Sequence, residues 1–182
     1  KAGLPYRIAR GVAFYGRKEI KDVLAYLRLL NNERDDVACE RIINVPARGI
    51  GATTVGRLRR FAQAEGIALL AAARRAGQVA DLGKSAVGRV ASFAALMDDL
   101  ARKPKTPVKD LLIAVLEATG MEEELKSAGS EDRAELANVQ ELVTSAAEFD
   151  REHPGAAPAE CEDEVRLTRD HIRPVSRGGR DH

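Results

Sequence analysis

Arg48-Gly49-Ile50-Gly51-Ala52-Thr53-Thr54 is the stretch whose residue types and spacing could do chemistry. Two glycines around one aliphatic residue permit a sharp turn, because glycine tolerates positive φ. They also leave main-chain N–H groups uncovered by side chains. A helix beginning just after the turn presents further unpaired N–H groups, and such a helix start attracts phosphate. On this reading Gly49, Gly51 and the turn's amides meet the phosphate, and Ile50 points inward to pin the turn. Thr53 and Thr54 add hydroxyl donors, Arg48 a charged fork, and Arg57, Arg59 and Arg60 a surrounding positive field. That is the logic of a helix-hairpin-helix element, which grips nucleic-acid backbone without reading bases. The same residues are equally consistent with a purely structural turn between packed helices, so the local pattern leaves both open.

Other chemistry-bearing residues carry less. Cys39 and Cys161 are far apart in the chain and form neither a disulfide framework nor a Cys-x-x-Cys zinc site. A reducing, cytoplasmic compartment is expected. Gly83-Lys84-Ser85 is a fragment of a phosphate-binding loop without its upstream glycine or a preceding strand, and reads as a helix start. Glu122-Glu123-Glu124 reads as a solvated helix start or an acidic partner patch, His153 as a solvated helix cap, and Phe93 with Met97 as core. No residue is assigned to a metal or a cofactor.

The elements that must position the turn are helical. Ile20, Val23, Leu24, Leu27 and Leu30 recur at helical spacing from Arg17 onward, and Asn31-Asn32 stops that helix. Asp35 and Asp36 open the next, with Val37, Ile42 and Ile43 as apolar positions to about Asn44. Helices are expected over 53–65, closed by Gly66, over 67–76, and over about 85–102 with Val87, Val90, Ala94, Met97 and Ala101 on one stripe. Thr106 as N-cap, Pro107 at the first helical position and Gly120 beyond the end frame another. Ser130 starts the last long helix, with Leu136, Val139, Val143 and Ala146 as its stripe. The fold class is mainly α: a multi-helix domain with a helix-hairpin-helix element, a short extended N-terminal segment and an irregular C-terminal tail. The expected division is an extended entry over 1–16, a helical domain over 17–152, a linker over 153–159 and a tail over 160–182.

The 182 residues suffice for one domain, with 45% hydrophobic and 31% charged residues. No apolar run is long enough to cross a bilayer. The sequence begins Lys1-Ala2-Gly3 without Met or an apolar signal core, so a piece of a longer chain is expected. The net charge of +1 hides an asymmetry: residues 1–60 hold 13 Lys/Arg against 6 Asp/Glu, whereas residues 61–160 hold 11 against 17. A basic third suits a polyanion, and an acidic remainder suits solvent or a basic neighbour.

Three segments together carry a family resemblance: Leu4-Pro5-Tyr6-Arg7-Ile8, then Phe14-Tyr15-Gly16-Arg17-Lys18-Glu19-Ile20-Lys21-Asp22-Val23-Leu24, then Glu40-Arg41-Ile42-Ile43-Asn44-Val45-Pro46-Ala47-Arg48-Gly49-Ile50-Gly51. They closely resemble the UvrD/PcrA/Rep family of superfamily 1 DNA helicases, at the end of subdomain 2A and in the helical 2B insertion. Glu135-Leu136-Ala137-Asn138-Val139-Gln140-Glu141-Leu142 resembles the insertion's closing helix. The likeness runs over about residues 1–152. It implies part of an ATP-dependent 3′-5′ DNA-unwinding motor used in repair and replication, whose 2B subdomain swivels and contacts the duplex. By the same resemblance Gly49, Ile50, Gly51, Thr53 and Thr54 match the hairpin that touches duplex phosphates. The Arg17–Asp22 signature is assigned to packing and the hinge. The resemblance further implies DNA and the remaining helicase subdomains as partners, with repair proteins as a further class. ATP and Mg²⁺ are implied for the parent helicase, their residues lying outside this segment, which alone is expected to be inactive.

The tail departs from that family. Leu167-Thr168-Arg169-Asp170-His171-Ile172-Arg173-Pro174 resembles the first half of an HNH nuclease motif, with His171 as general base and Asp170 as metal ligand. One Asp does not make a metal site, and the rest of the motif is missing. The tail is expected to be poorly ordered and inactive. Two alternatives accompany the helicase reading: a helicase-like domain fused to an HNH endonuclease, and a protein-interaction module without DNA binding.

Overall fold

The computed structural model describes residues 13–127, 129 and 132–158. Its helices are α1 (Lys18–Asn31), α2 (Asp36–Ile42), α3 (Ala52–Glu65), α4 (Leu69–Arg74), α5 (Lys84–Ala101), α6 (Val108–Thr119), α7 (Met121–Ser127) and α8 (Asp132–Glu152), with a 3₁₀ turn over Ala76–Gln78. Among the described residues there is no strand, as the mainly α expectation requires. No helix among them is long and apolar enough to cross a membrane.

Helix α1 is the centre of the fold, and its composition explains why. Ile20, Val23, Ala25, Tyr26, Leu27 and Leu29 are all buried, so the helix is apolar on most of its circumference. It is covered accordingly, by α2, α5, α6 and α8. The Arg17–Asp22 signature supplies the polar fastenings at its start. The Glu19 carboxylate accepts a hydrogen bond from Asn138 Nδ2 of α8 at 2.8 Å. Asp22, only 3% exposed, is held between Lys18 Nζ at 3.1 Å and Arg41 Nε of α2 at 2.9 Å. A buried carboxylate needs such partners, because desolvation without them costs several kcal/mol.

Most helix boundaries follow the local signals. Asp35 caps α2 by accepting from Ala38 N–H at 3.0 Å, and Gly66 and Gly120 close α3 and α6. Three expectations need correction. Residues 13–15, expected within the extended entry, are helical, and Phe14 sits in the core at 8% exposure; the rest of that entry lies outside the described residues. Val37, expected on an apolar face, is 80% exposed, because the short α2 buries Ala38, Cys39 and Ile42 instead. Thr106 does not cap α6. The N-cap is Pro107, which has no side-chain donor or acceptor to offer, and the cap comes from elsewhere in the fold. Asp150 of α8 accepts from Val108 N–H at 2.8 Å and Lys109 N–H at 2.9 Å.

The later stripes are close to the expected ones. In α5, Val90, Phe93, Ala94, Met97 and Leu100 are buried while Ala101 is exposed. In α8 the buried set is Val139, Leu142, Ala146 and Phe149, with Leu136 and Val143 half-buried. His153 stacks on Phe149 with ring centroids 4.8 Å apart. Residues 159–182, including Cys161, Asp170 and His171, lie outside the described residues.

Candidate functional site

The connection from α2 to α3 is built around one side-chain amide. Asn44 Oδ1 accepts from Arg48 N–H at 2.7 Å and from Ile50 N–H at 3.1 Å. These two bonds hold the turn in shape, and among the described residues none accepts from the N–H groups of Gly49 or Gly51. Ile50, 2% exposed, inserts into the core and anchors the turn as expected. Gly49 has φ +73°, a conformation that side chains rarely adopt, and it is exposed. Gly51 differs: its φ of −82° and ψ of 175° are ordinary extended backbone, and a Cβ built there meets no atom within 4 Å. Only the first glycine of the pair is demanded by the turn itself. The second leaves open space beside the start of α3.

That helix start is uncapped. Gly51 is the N-cap and makes no side-chain hydrogen bond, and the first amide bonded back within the turn is Val55 N–H, to Gly51 O at 3.1 Å. Among the described residues, none accepts from the N–H groups of Ala52, Thr53 or Thr54. Ala52 and Thr53 are exposed and Thr54 is half-buried. A helix start in this state carries partial positive charge and suits an anion.

The arginines around the turn divide by what already holds them. Arg48, expected as a charged fork toward phosphate, is turned into the fold. Its Nη1 donates to the carbonyls of Ile42 at 2.8 Å, Ile43 at 3.2 Å and Val45 at 3.0 Å, and its Nη2 donates to the Tyr26 hydroxyl. The guanidinium lies 5.3 Å from the Phe93 ring centroid. This is a corrected role. Carbonyls at and just beyond the end of α2 lie outside the regular helical ladder, and a planar cation bonds three of them at once, beside the Val45 N–H already on Ile42 O and the Tyr26 hydroxyl on Val45 O. Burial pushes the Tyr26 hydroxyl above its ordinary pKa, and the adjacent Arg48 offsets part of that rise.

Arg57 donates to Asp81 O at 2.7 Å. Arg59 forms a two-pronged pair with Glu40 at 2.7 and 3.0 Å, which holds that carboxylate below its usual range. The Glu40–Arg59 pair also bridges α2 and α3, whose helical packing partner is α4. Arg60 lies along its own helix. Of the expected positive field, Arg59 is neutralised by Glu40, Arg57 is docked on a main-chain carbonyl, and Arg60 keeps its charge on the surface of α3.

Two residues at this site escape a reading of the local sequence. Asn44 gives a weak signal, since asparagine after a helix is a turn former. Arg89 of α5 gives none, standing forty positions away. Its Nη1 donates to Gly49 O at 3.3 Å, and its Nε, Cδ and Cζ occupy the space at 3.1–3.2 Å where a Gly49 Cβ would lie. Among the described residues no carboxylate pairs with it.

The family model of the UvrD-like helicase C-terminal domain matches residues 1–80. The ATP-dependent DNA helicase UvrD1 of Mycobacterium tuberculosis (strain H37Rv) is 40% identical over 169 residues, covering 90% of this chain and 22% of that protein. The ATP-dependent DNA helicase PcrA of Bacillus subtilis is 35% identical over 153 residues, 83% of this chain and 21% of that protein. PcrA of Staphylococcus aureus (strain Mu50) is 31% identical over 156 residues, 85% and 21% respectively. The chain spans about a fifth of the length of these curated relatives.

Proposed function

Because this chain is a segment of the UvrD/PcrA helicase superfamily, we propose that it is the duplex-contacting 2B-type subdomain of an ATP-dependent 3′-5′ DNA helicase. Its contact with DNA is made at the 49–54 turn, by main-chain amides meeting phosphates in the manner of a helix-hairpin-helix. The observation that carries this is the uncapped start of α3 beside the open face of Gly51. Amide contacts of this kind position a protein on the backbone and carry no sequence information, so binding is indifferent to sequence and falls with salt. The partners are duplex or forked DNA and the remaining helicase subdomains, in the cytoplasm.

The parent would couple DNA unwinding to ATP and Mg²⁺. The described residues do not fit that pair. No three His, Cys, Asp or Glu side chains among them converge as a metal site, and Gly83-Lys84-Ser85 is the start of α5 with no strand before it.

Ala52→Pro tests the reading. Gly51 already holds a conformation that precedes proline without strain, and proline is tolerated at the first helical position. The variant therefore removes one outward N–H while keeping the fold. Fluorescence anisotropy with a labelled duplex-to-single-strand junction should show roughly threefold to tenfold weaker binding, the loss of one hydrogen bond. Unchanged affinity in a variant that melts like the wild type would refute the amide contact.

A further inference from the structure

We infer that Arg89 supplies the charge of the 49–54 site, acting from α5 as a phosphate-binding arginine that Gly49 exists in part to admit. The inference rests on the reading of the turn given above and extends it to a second element. Its basis is elimination among the neighbouring cations together with one contact. Arg48 is turned inward onto carbonyls and Tyr26, Arg59 is paired with Glu40, and Arg57 and Arg60 are drawn along α3 toward Asp81 O and Gly56 O, so among these cations Arg89 is the one in contact with the turn itself. Arg89 is exposed, has no carboxylate partner among the described residues, and lies against the outer side of the turn.

Only one of its guanidinium N–H groups is engaged, by Gly49 O at 3.3 Å, which is long for such a bond. Arg89 is exposed, and the Gly49 it touches stands two positions before the N-cap of α3, a helix start that favours an anion. A phosphate seated there would meet neutral amides from α3 and a full charge from α5. Charge-assisted bonds are the stronger class and would dominate the salt dependence. Gly49 thus has two reasons to lack a side chain. Its φ of +73° disfavours one, and a Cβ would press on Arg89 at 3.1 Å.

The test measures duplex affinity of the 182-residue chain over a salt series for wild type, Arg89→Ala, Arg89→Lys and Ala52→Pro. Arg89→Ala should weaken binding to unrelated duplex sequences alike and reduce the slope of log K against log[salt] by about one, the release of one phosphate's counterion. Its thermal midpoint should equal that of wild type, and Arg89→Lys should restore the slope. If Arg89→Ala keeps the wild-type affinity and slope while Ala52→Pro weakens binding, the role of Arg89 is refuted and the turn stands. If neither variant weakens binding, both readings fall.

Discussion

Replacing Arg48 with alanine should damage the fold before it damages DNA binding. The guanidinium donates to three main-chain carbonyls, of Ile42, Ile43 and Val45, and to the Tyr26 hydroxyl, and it packs over the Phe93 ring. Hydrogen bonds from a charged donor contribute about 1.5–3 kcal/mol each, but they are not additive. Arg48 is only half-buried, so water can replace part of what is lost. A total of about 2–4 kcal/mol follows, which for a chain of this size lowers the thermal midpoint by roughly 5–15 °C. Arg48→Lys should lose an intermediate amount, since it keeps the charge but not the planar fork. Circular dichroism in a thermal or urea series reads the stability, and anisotropy well below the midpoint reads duplex affinity of the folded fraction. The reasoning fails if Arg48→Ala melts with the wild type yet loses duplex affinity, because the guanidinium would then be reaching outward to phosphate.

Two further outcomes are expected from contacts outside the turn. Asp150→Ala removes the acceptor for the first amides of α6 and should cost about 1–2 kcal/mol, with Asp150→Asn closer to wild type, as measured by urea unfolding. Cys39 is fully buried and its thiol is pushed up to about 12 by desolvation and by Asp36, Glu40 and Asp35 nearby, so in a Cys161→Ser background it should resist a disulfide reagent at pH 8 until the chain is unfolded. The raised value also fixes a sign: the contribution of the Cys39 thiol to stability is fully present below the ordinary thiol pKa and is lost as pH rises toward 12. Rapid labelling of the native protein would contradict the burial.

Helix positions were legible where the signal is local. Asp35 before α2 and the glycines after α3 and α6 act through atoms within one turn of themselves, so their sequence neighbours suffice to read them. The glycine-flanked Ile50 turn and the helix start after it were legible for the same reason. The family likeness rested on whole segments in order, which a sequence also contains.

The allocation of donors and acceptors was decided only by the tertiary structure. Thr106 looked like a cap because its neighbours fit, yet Asp150, forty-two residues from Val108, reaches the amides first. Arg48 looked like a phosphate ligand because it adjoins the turn, yet the carbonyls of Ile42, Ile43 and Val45 and the Tyr26 hydroxyl engage its Nη1 and Nη2 groups. Arg89 is invisible to a local pattern because only the packing of the helices lays it over Gly49. Spacing fixes where a polar group can start, whereas long-range packing fixes which partner satisfies it, and a charged group already satisfied inside the fold has little left to offer a ligand.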